Sequence, residues 1–571
     1  MTPTDRQHWG ALAGDDGTWS VALWAPAARA VGVVLDGVTV PLTRCADGTF
    51  RGDVTAQEGT PYVFDVDGTR LPDPAARRQQ GDVHGPSLLC APPRVPDWPG
   101  RDWRETVISE IHIGTFTRDG TFAAAARRLP DLAAAGITAV EVMPIAQFAG
   151  ARGWGYDGVL PYAVHPAYGT PQDFADFVAA AHDLDLSVIL DVVYNHFGPE
   201  GAYIGGVCPD FFDATRQTPW GAAIDFSQGP VREFFIRNAI MWVRDFGVDG
   251  LRIDAVHQLQ DATDPEFLEE LARRLRALHL GRPLHLVAED ERNLPHHRDA
   301  ALTDAQWNDD YHHALHCLLT GEDEGYYAPF AVDPIADLAT ALTDGHVAQG
   351  SPRNAHADAR GAPSAHLPPE AFVNANQTHD QIGNRALGER LITLTSPAAM
   401  HVAHALLLTS PYIPMLFQGE EIGARTPFPF FCDFDGDLAD AVRRGRLAEF
   451  SAFSGFDGAL PDPLDPATFA AARPYDAPPD DADDWRALTA RLLAWRAAHV
   501  VPLLCSGQTS AKVQVLGDKA LRATWHFKAG TLHSLVQLGQ PLAADHWSAD
   551  DRGLSFGTPD DDFAFCTWID A

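Results

Sequence analysis

Three acidic residues follow apolar runs at separate places in the chain. Asp254 ends VDGLRID, Glu289 ends LHLVAE, and Asp380 closes FVNANQTHD. Short apolar runs that end in charged residues are typical of parallel strands buried on both faces. An isolated acidic residue after a strand is more often a helix cap or a turn residue. Three of them in one chain instead indicate a shared site of paired carboxylates, the arrangement that glycosidic bond chemistry requires.

The elements that would position these residues alternate between strands and helices from about residue 103. This order is the sequence form of a (β/α)₈ barrel, whose carboxyl strand ends carry the active site. Phe267–Leu280 has helical spacing, and its apolar stripe is predicted to pack in the core. Gly345–Pro369 is polar and rich in Gly and Pro, which predicts a loop over the barrel mouth. The predicted strands lie in TVISEIHI, ITAVEVMP, LSVILDVV, VDGLRID, LHLVAED, FVNANQ and YIPMLFQ.

Two further domains are expected to flank the barrel. Alternating apolar and polar positions in WSVALWAP and VGVVLDGVTVPL predict an N-terminal β-sandwich over residues 1–97. The proline-rich stretch Ala91–Gly100 predicts a linker. The catalytic barrel with its loop insertions is predicted over residues 98–496. Strand-like pieces such as LRATWHFK predict a C-terminal antiparallel β domain over residues 497–571.

Composition excludes several classes of protein. The chain has 571 residues, of which 46% are apolar and 10% aromatic, so it can bury several cores. Its 42 basic and 77 acidic residues give a net charge of −35, which argues against nucleic-acid or anionic-membrane partners and suits a neutral sugar. Seven scattered cysteines without a CxxC pair, no signal sequence and no unbroken apolar run predict a cytoplasmic enzyme without a membrane span.

Four short motifs carry a family resemblance. They are DVVYNH (Asp191–His196), GLRIDAVH (Gly250–His257), AEDERN (Ala288–Asn293) and THDQ (Thr378–Gln381). With them the chain resembles the alpha-amylase superfamily. Longer segments narrow the resemblance to the malto-oligosyltrehalose trehalohydrolase family. These segments are LPDPAARRQQGDVHGPS, EIHIGTFTRDGTF, EVMPIAQFAGARGWGYDGV, DAQWNDDYHHALH and HDQIGNRALGERL.

The resemblance implies a division of labour among the carboxylates. Asp254 would be the nucleophile and Glu289 the general acid/base of a retaining reaction, with their carboxyl groups about 5 to 5.5 Å apart. Arg252, two residues before Asp254, lies on the same strand face and would keep that carboxylate ionised and oriented. Asp191 would brace the region around Arg252.

Other positions would bind the sugar. By resemblance, His379 and Asp380 would hydrogen-bond the hydroxyls of the sugar being cleaved, and His196 would contact its hydroxymethyl side. Tyr156 would stack on that sugar, because an aromatic face matches the C–H face of glucose. Without the resemblance, plain packing is the simpler account of Tyr156.

The trehalose end of the substrate would meet Asp309, Asp310 and Gln381 in the loops after the strands. Two residues depart from the family pattern. Thr378 replaces the usual Asn, which is expected to weaken the turn before His379. Gln147 replaces a common Glu, which is expected to remove one charge at the rim of the barrel.

Four residues have types and positions that could belong to a metal site. His312, His316 and Cys317 share one predicted helical face, and Asn195 occupies a position that binds calcium in some amylases. The segment after the third strand is too short for the amylase calcium domain. The histidines are therefore expected to be core or solvated residues, and neither a metal nor a cofactor is predicted.

The sequence thus predicts a retaining glycoside hydrolase acting on malto-oligosyl trehalose, with trehalose and a maltodextrin as products. A monomer or homodimer is expected. A glucan branching or debranching enzyme is the alternative within enzymes, because such relatives share the sandwich and the barrel motifs. From another class, an inactive glucan-binding protein could retain the cleft, but the intact set of three carboxylates argues against it.

Overall fold

The computed structural model describes residues 9–354, 359–450, 460–543, 546–547 and 553–570. At its centre, eight parallel strands form a closed barrel, which confirms the predicted (β/α)₈ fold. We number these strands β1 to β8 in chain order. They are Ile108–Ile111, Ala139–Val142, Ser187–Val192, Gly250–Ile253, His285–Ala288, Ala305–Trp307, Phe372–Ala375 and Ile413–Phe417.

Every residue of the eight barrel strands is buried, which explains why they read as nearly continuous apolar runs. One buried cluster includes Ile108, Ile189, Val287, Val373 and Ile413, which come from five of the barrel strands. Branched side chains of this kind fill the barrel and make it a packed core instead of a pore. The sixth strand was absent from the predicted set because its three residues, AQW, lie in the polar segment DAQWNDDY.

Helices surround the barrel and extend its loops. The predicted helix at Phe267 ends at Arg276, four residues early, and it buries Leu268, Leu271 and Leu275 in the core as expected. The longer helices are Leu129–Ala135, Pro171–His182, Gly229–Asp245, Phe267–Arg276, Asp309–Thr320, Pro334–Asp344, Pro397–Thr409, Gly436–Phe450, Pro466–Ala471, Ala482–Trp495 and Val501–Ser506, and the five-residue helix Phe122–Ala126 precedes them. Single-turn helices are Ile113–Phe116, Ile204–Val207, His296–Asp299, His379–Gly383 and Leu391–Leu394.

Two antiparallel sheets precede the barrel, as predicted. Val21 and Leu23 of one sheet and Val33 and Phe64 of the other belong to one buried cluster. The first sheet contains Gly10–Ala13, Thr18–Trp24, Thr43–Arg44 and Thr49–Thr55, and the second contains Val31–Leu35, Val38–Pro41, Pro61–Val66, Thr69–Leu71 and Ser87–Leu88. The loop before β3 contains the strand pair Ala146–Gln147 and Leu160–Val164, and a hairpin of Phe212–Thr218 and Gly221–Ile224 follows β3.

An antiparallel sheet also ends the chain, again as predicted. Trp525 is fully buried, and its indole N–H donates to the carbonyl oxygen of Leu342 at 2.9 Å, so the sheet is tied to the helix Pro334–Asp344. Its strands, in spatial order, are Gln508–Gly517, Ala520–Phe527, Gly530–Leu538, Phe563–Asp570 and Leu554–Phe556.

One helical stretch in the described part of the chain, Ala482–Ser506, is long and apolar enough to cross a membrane by length and composition. Arginines interrupt its sequence, so it contains no unbroken apolar run. Trp485, Leu492 and Leu493 are buried against neighbouring elements of the protein. This burial is the behaviour of a core helix, so the composition of the stretch is weak evidence for a span.

Candidate active site

Arg252 lies at the centre of the cluster of carboxylates. It is in β4, its side chain is 1% exposed, and its guanidinium contacts Asp191 at 2.7 Å, Asp254 at 2.8 Å and Glu289 at 2.9 Å. The guanidinium also lies 4.1 Å from the ring centre of Trp307. A planar donor group held on an aromatic face and paired with three carboxylates has little freedom to move. Arg252 therefore brings the predicted nucleophile and acid/base together.

Asp254 is held from two sides. Arg252 donates to its Oδ1, and the side-chain amide of Asn195 donates to its Oδ2 at 2.8 Å. The next residue, Ala255, has φ 40° and ψ 56°, a left-handed conformation that costs a non-glycine residue about 1–3 kcal/mol. That turn aims the Ala255 backbone N–H at Oε2 of Glu289, 2.7 Å away. The strained residue thus links the two carboxylates.

Glu289 borders a cavity of about 450 Å³ at the barrel mouth. Its Oε2 forms an ion pair with Arg252 and accepts a hydrogen bond from the backbone N–H of Ala255. In the part of the chain that is described, no donor to Oε1 accompanies them. Oε1 is therefore the oxygen available to exchange a proton with a substrate. The cavity is also lined by Asp309, Asp380, Gln381, Asn384, Tyr326 and Arg353.

Asp380 lies in the first turn of the helix His379–Gly383, at the edge of this cavity. Asn384 donates to its Oδ1 at 2.7 Å. Burial raises the pKa of Asp380, and the nearby Glu289 carboxylate adds to the effect, although His379 opposes it. The structure therefore brings all three predicted carboxylates to one end of the barrel.

Thr378 stabilises the turn before His379 with side-chain hydrogen bonds of its own. Its hydroxyl accepts the Asp380 backbone N–H at 3.2 Å and donates to Oε1 of Gln381 at 2.6 Å. The same Oε1 accepts the backbone N–H of Thr378 at 2.7 Å, which completes a capping box. Thr is a good N-cap because its oxygen satisfies an otherwise unpaired backbone donor.

Gln147 does not lie at an open rim of the barrel, where it was expected, because it is only 1% exposed. Its side-chain amide donates to the carbonyl oxygen of Gly81 at 2.9 Å. A carboxylate could not donate this hydrogen bond. Gln147 therefore links the N-terminal region to the barrel through a hydrogen bond. The loss of a charge was the only effect expected of this residue.

The three residues predicted for the trehalose end behave differently. Gln381 donates to Oδ1 of Asp309 at 3.1 Å, and both line the cavity. Burial raises the pKa of Asp309 to about 7, with further contributions from Glu289 and Asp380. Asp309 can therefore offer a protonated or an ionised carboxyl near neutral pH.

Asp310 is 1% exposed and fully engaged within the protein. Its carboxylate accepts hydrogen bonds from Asn293, from the backbone N–H groups of Val347 and Ala348, and from Arg360, all at 2.7 to 2.9 Å. Four charge-assisted bonds leave little capacity for a ligand. Asp310 therefore anchors the insertion after residue 345 at the barrel mouth and does not direct a free oxygen to substrate.

Tyr156 and Asp191 are joined by a hydrogen bond next to Arg252. The Tyr156 hydroxyl donates to Oδ2 of Asp191 at 2.7 Å, and the Tyr156 ring stacks on His379 with ring centres 5.0 Å apart. Burial raises the pKa of Asp191 to about 7 despite the opposing effect of Arg252. Asp191 thus braces Arg252 and also orients the predicted sugar-stacking ring.

His196 is close to this group, but both of its ring nitrogens have protein partners. Nδ1 contacts the side-chain oxygen of Asn195, and Nε2 contacts the carbonyl oxygen of Tyr156 at 3.0 Å. Trp220, which the sequence analysis did not single out, stacks on the His196 ring at 4.0 Å and is 47% exposed. In this arrangement His196 presents ring C–H groups, not a free nitrogen, to a sugar.

Glu110 is the main site residue that the sequence analysis missed. Like the other carboxylates, it is an acidic residue near the carboxyl end of an apolar strand, in this case β1. Its side chain contacts Nδ1 of His379 and accepts the His379 backbone N–H at 3.1 Å. The rule that found Asp254 and Glu289 could have found Glu110 as well.

The residues considered for a metal have other partners. His312 contacts the carbonyl oxygen of Asn376 at 2.6 Å, His316 contacts Glu322 at 2.8 Å, and Cys317 is buried. Asn195 donates to Asp254. These contacts agree with the expectation of core histidines. Elsewhere in the described residues, one group of side chains with metal-ligating spacing is Glu266, His296 and His297.

Treatment with a chelator is expected to leave turnover and melting temperature almost unchanged, because protein donors hold each of the three carboxylates. Activity and thermal unfolding should be measured before and after dialysis against EDTA, with a dialysed but untreated sample as the control. A large loss that added Ca²⁺ or Zn²⁺ restores would contradict this prediction.

The barrel and its cluster of carboxylates define the general class of protein to which this chain belongs. They are those of alpha-amylase-type glycoside hydrolases, and the family model "Alpha amylase, catalytic domain" matches residues 101–208. The chain is 42% identical over 455 residues to the malto-oligosyltrehalose trehalohydrolase of Deinococcus radiodurans, covering 78% of this chain and 75% of that protein. The protein of that name from Mycobacterium tuberculosis is 42% identical over 472 residues, covering 78% of this chain and 80% of its own.

The match in three dimensions spans the whole chain. A crystal structure from Salmonella typhimurium, provisionally assigned as an alpha amylase, superposes with a TM-score of 0.93 at 40% identity and covers 99% of both chains. The present chain belongs to the malto-oligosyltrehalose trehalohydrolase family.

Proposed function

We propose that this protein is a retaining glycoside hydrolase that cleaves the α-1,4-glucosidic bond next to the terminal trehalose of malto-oligosyl trehalose. Trehalose and a shortened maltodextrin are the products. The observation that carries the proposal is the single guanidinium of Arg252, which holds Asp254 next to Glu289, and Glu289 lines the cavity. Membership of the family supports the choice of substrate.

In the first step, Asp254 would attack the anomeric carbon while Glu289 protonates the glycosidic oxygen of the leaving trehalose. The hydrogen bonds to both oxygens of Asp254 orient it for that attack. In the second step, Glu289 would take a proton from water, which then releases the maltodextrin from Asp254. A carboxylate pair bound to one guanidinium supports the short separation of about 5 to 5.5 Å that retention requires.

Asp380 would hydrogen-bond hydroxyls of the sugar being cleaved, because it lies at the cavity edge beside the carboxylate pair. Asp309 and Gln381 are proposed to contact the trehalose end. Their mutual hydrogen bond presents a polar pair to the cavity. Tyr326 lines the same cavity and is 47% exposed, so its ring can cover an apolar sugar face.

The enzyme is expected to prefer substrates that end in trehalose. The 1,1 linkage bends the last glucose away from the path of a maltodextrin, so a straight end leaves polar groups of the site unpaired. Each unpaired buried group costs about 1 to 3 kcal/mol, and two or three of them give a preference on the order of a hundredfold in kcat/KM. The measurement is kcat/KM on malto-oligosyl trehalose and on maltodextrin of matched length.

Product analysis in the same experiment separates the alternatives. Comparable kcat/KM values on the two substrates, or the accumulation of new α-1,6 branches, would replace the proposal with a branching or debranching activity. Tight binding without any product would indicate a glucan-binding protein. Release of trehalose as the main product supports the proposal.

We further propose a cytoplasmic monomer or homodimer without nucleic-acid or membrane partners. Cys90, Cys208, Cys317 and Cys432 are buried free cysteines, which supports a reducing compartment. The net charge of −35 supports repulsion from nucleic acid. Domain limits of 1–97, 98–496 and 497–571 remain part of this proposal.

A further inference from the structure

We propose that Glu110 is a positioning residue that holds His379 as an imidazolium and directs its Nε2–H toward the sugar. Glu110 belongs to β1, whereas His379 opens the helix after β7, so the barrel brings together two residues separated by 269 positions in the chain. The inference rests on the proposed function for the identity of the substrate only.

The contact is made by both oxygens of one buried carboxylate. Glu110 is 1% exposed; its Oε1 contacts Nδ1 of His379, and its Oε2 accepts the His379 backbone N–H at 3.1 Å. This double contact fixes the rotation of the imidazole and also the start of the helix that carries Asp380. A charge-assisted bond of this kind is stronger than one between neutral groups.

Aromatic side chains surround the His379 imidazole, so that one of its two nitrogens is available for a polar contact with substrate. Tyr156 stacks on the imidazole with ring centres 5.0 Å apart. The ring centres of Trp154 and Trp307 lie 5.6 and 6.1 Å from that of the imidazole. Nδ1 is occupied by Glu110. Among the described residues no hydrogen-bond partner of Nε2 is found, so that nitrogen is the one available to a substrate.

The charges around His379 favour its protonated form. Burial lowers the pKa of His379, but the Glu110 carboxylate outweighs this effect and raises the pKa to about 8. At pH 7 the ring therefore carries protons on both nitrogens, one for Glu110 and one for the sugar. The charged or titratable groups that face the pair include His112 after β1, Glu141 on β2, Tyr156, Asp191 on β3, Arg252 on β4, Glu289 after β5, and Asp380.

The pairing also suits the reaction. Positive charge develops on the sugar in the transition state, and an isolated imidazolium nearby would oppose it. Glu110 offsets that charge while keeping the N–H donor. If Glu110 is removed, burial makes His379 neutral; the proton that remains can stay on Nδ1, and Nε2 then becomes an acceptor.

Glu110→Gln is expected to make the loss of activity depend on pH. In the native enzyme, kcat/KM should fall on the alkaline side as His379 loses its proton near pH 8. In Glu110→Gln that fall should move below pH 6.5, by more than one pH unit. The loss of kcat/KM should be roughly 10- to 100-fold at pH 7.5 and only a few-fold at pH 5.5.

Two variants serve as controls. Glu141→Gln changes the neighbouring residue on β2, which pairs in register with Glu110, but the Glu141 carboxyl has no hydrogen-bond partner among the described residues. Burial, and then Glu110, raises the pKa of Glu141 well above its ordinary value, so an amide replaces a neutral acid and the pH profile should not move. Glu110→Asp keeps the charge and should keep the fall near pH 8.

A direct measurement distinguishes this inference from failure of the proposed function. Histidine NMR of the free enzyme, with the His379 signal assigned from a His379→Gln variant, should give titration near pH 8 in the native protein and below pH 6.5 in Glu110→Gln. Native titration at or below pH 6.5 would overturn the inference, even if Glu110→Gln fails to fold. An equal loss of kcat/KM at every pH would overturn it too, whatever the substrate proves to be.

Discussion

Asp254→Asn is expected to lower turnover on malto-oligosyl trehalose by on the order of 10⁴-fold or more while the fold is retained. An amide cannot form the covalent bond to the anomeric carbon, and the rest of the site cannot replace it. The carbonyl oxygen of Asn can still accept from Arg252, although its NH2 group cannot accept from Asn195 as Oδ2 of Asp254 does. The measurement is single-turnover kinetics of the purified variant.

Folding and binding must be shown to survive in that variant. Thermal unfolding should remain cooperative, and malto-oligosyl trehalose should still bind, because the cavity residues Asp309, Gln381 and Asn384 are untouched. Asp254 would be removed from the mechanism if a folded Asp254→Asn protein turned over at nearly the native rate.

Glu289→Gln is expected to impair natural substrates far more than glycosyl fluorides. General acid catalysis contributes about 10²- to 10⁴-fold, and fluoride leaves without a proton. The loss on malto-oligosyl trehalose should lie in that range, whereas release of fluoride should be nearly native. Fluoride release should be followed in the first turnover, because Glu289 also serves as the base of the second step.

Glu291→Gln is the matched control for this prediction. Glu291 lies two residues further along the same loop, and its side chain is 65% exposed and paired with His257. Its removal should affect the natural substrate and the fluoride alike, and only slightly. If Glu289→Gln lowered both rates by the same factor, Glu289 could not be the acid.

The sequence alone predicted the barrel and seven of its eight strands. A strand buried on both faces must be apolar along its length, so the boundary between apolar and charged residues marks where it leaves the barrel. This reasoning located Asp254, Glu289 and Asp380, which the structure brings to one end. It passed over β6, because three residues with a polar Gln306 carry too little of the apolar signal.

The roles of polar neighbours needed the tertiary structure. Asp309 and Asp310 are adjacent in sequence and both border the cavity, yet the carboxylate of Asp310 is taken up by hydrogen bonds that anchor a loop. Thr378 and Gln147 looked like losses beside the family pattern, but each makes hydrogen bonds that the chain uses. Residue type predicts what a side chain can donate or accept, and not which partner it meets.

Closure of the barrel decided the partner of His379. β1 lies next to β8 and β2 in the closed sheet, and its Glu110 reaches across the interior to the helix after β7. No local pattern could pair residues 269 positions apart. The apolar pattern of each strand follows from its own burial, whereas the pKa of His379 is raised against the effect of burial by Glu110, a carboxylate that only the closed barrel brings to it.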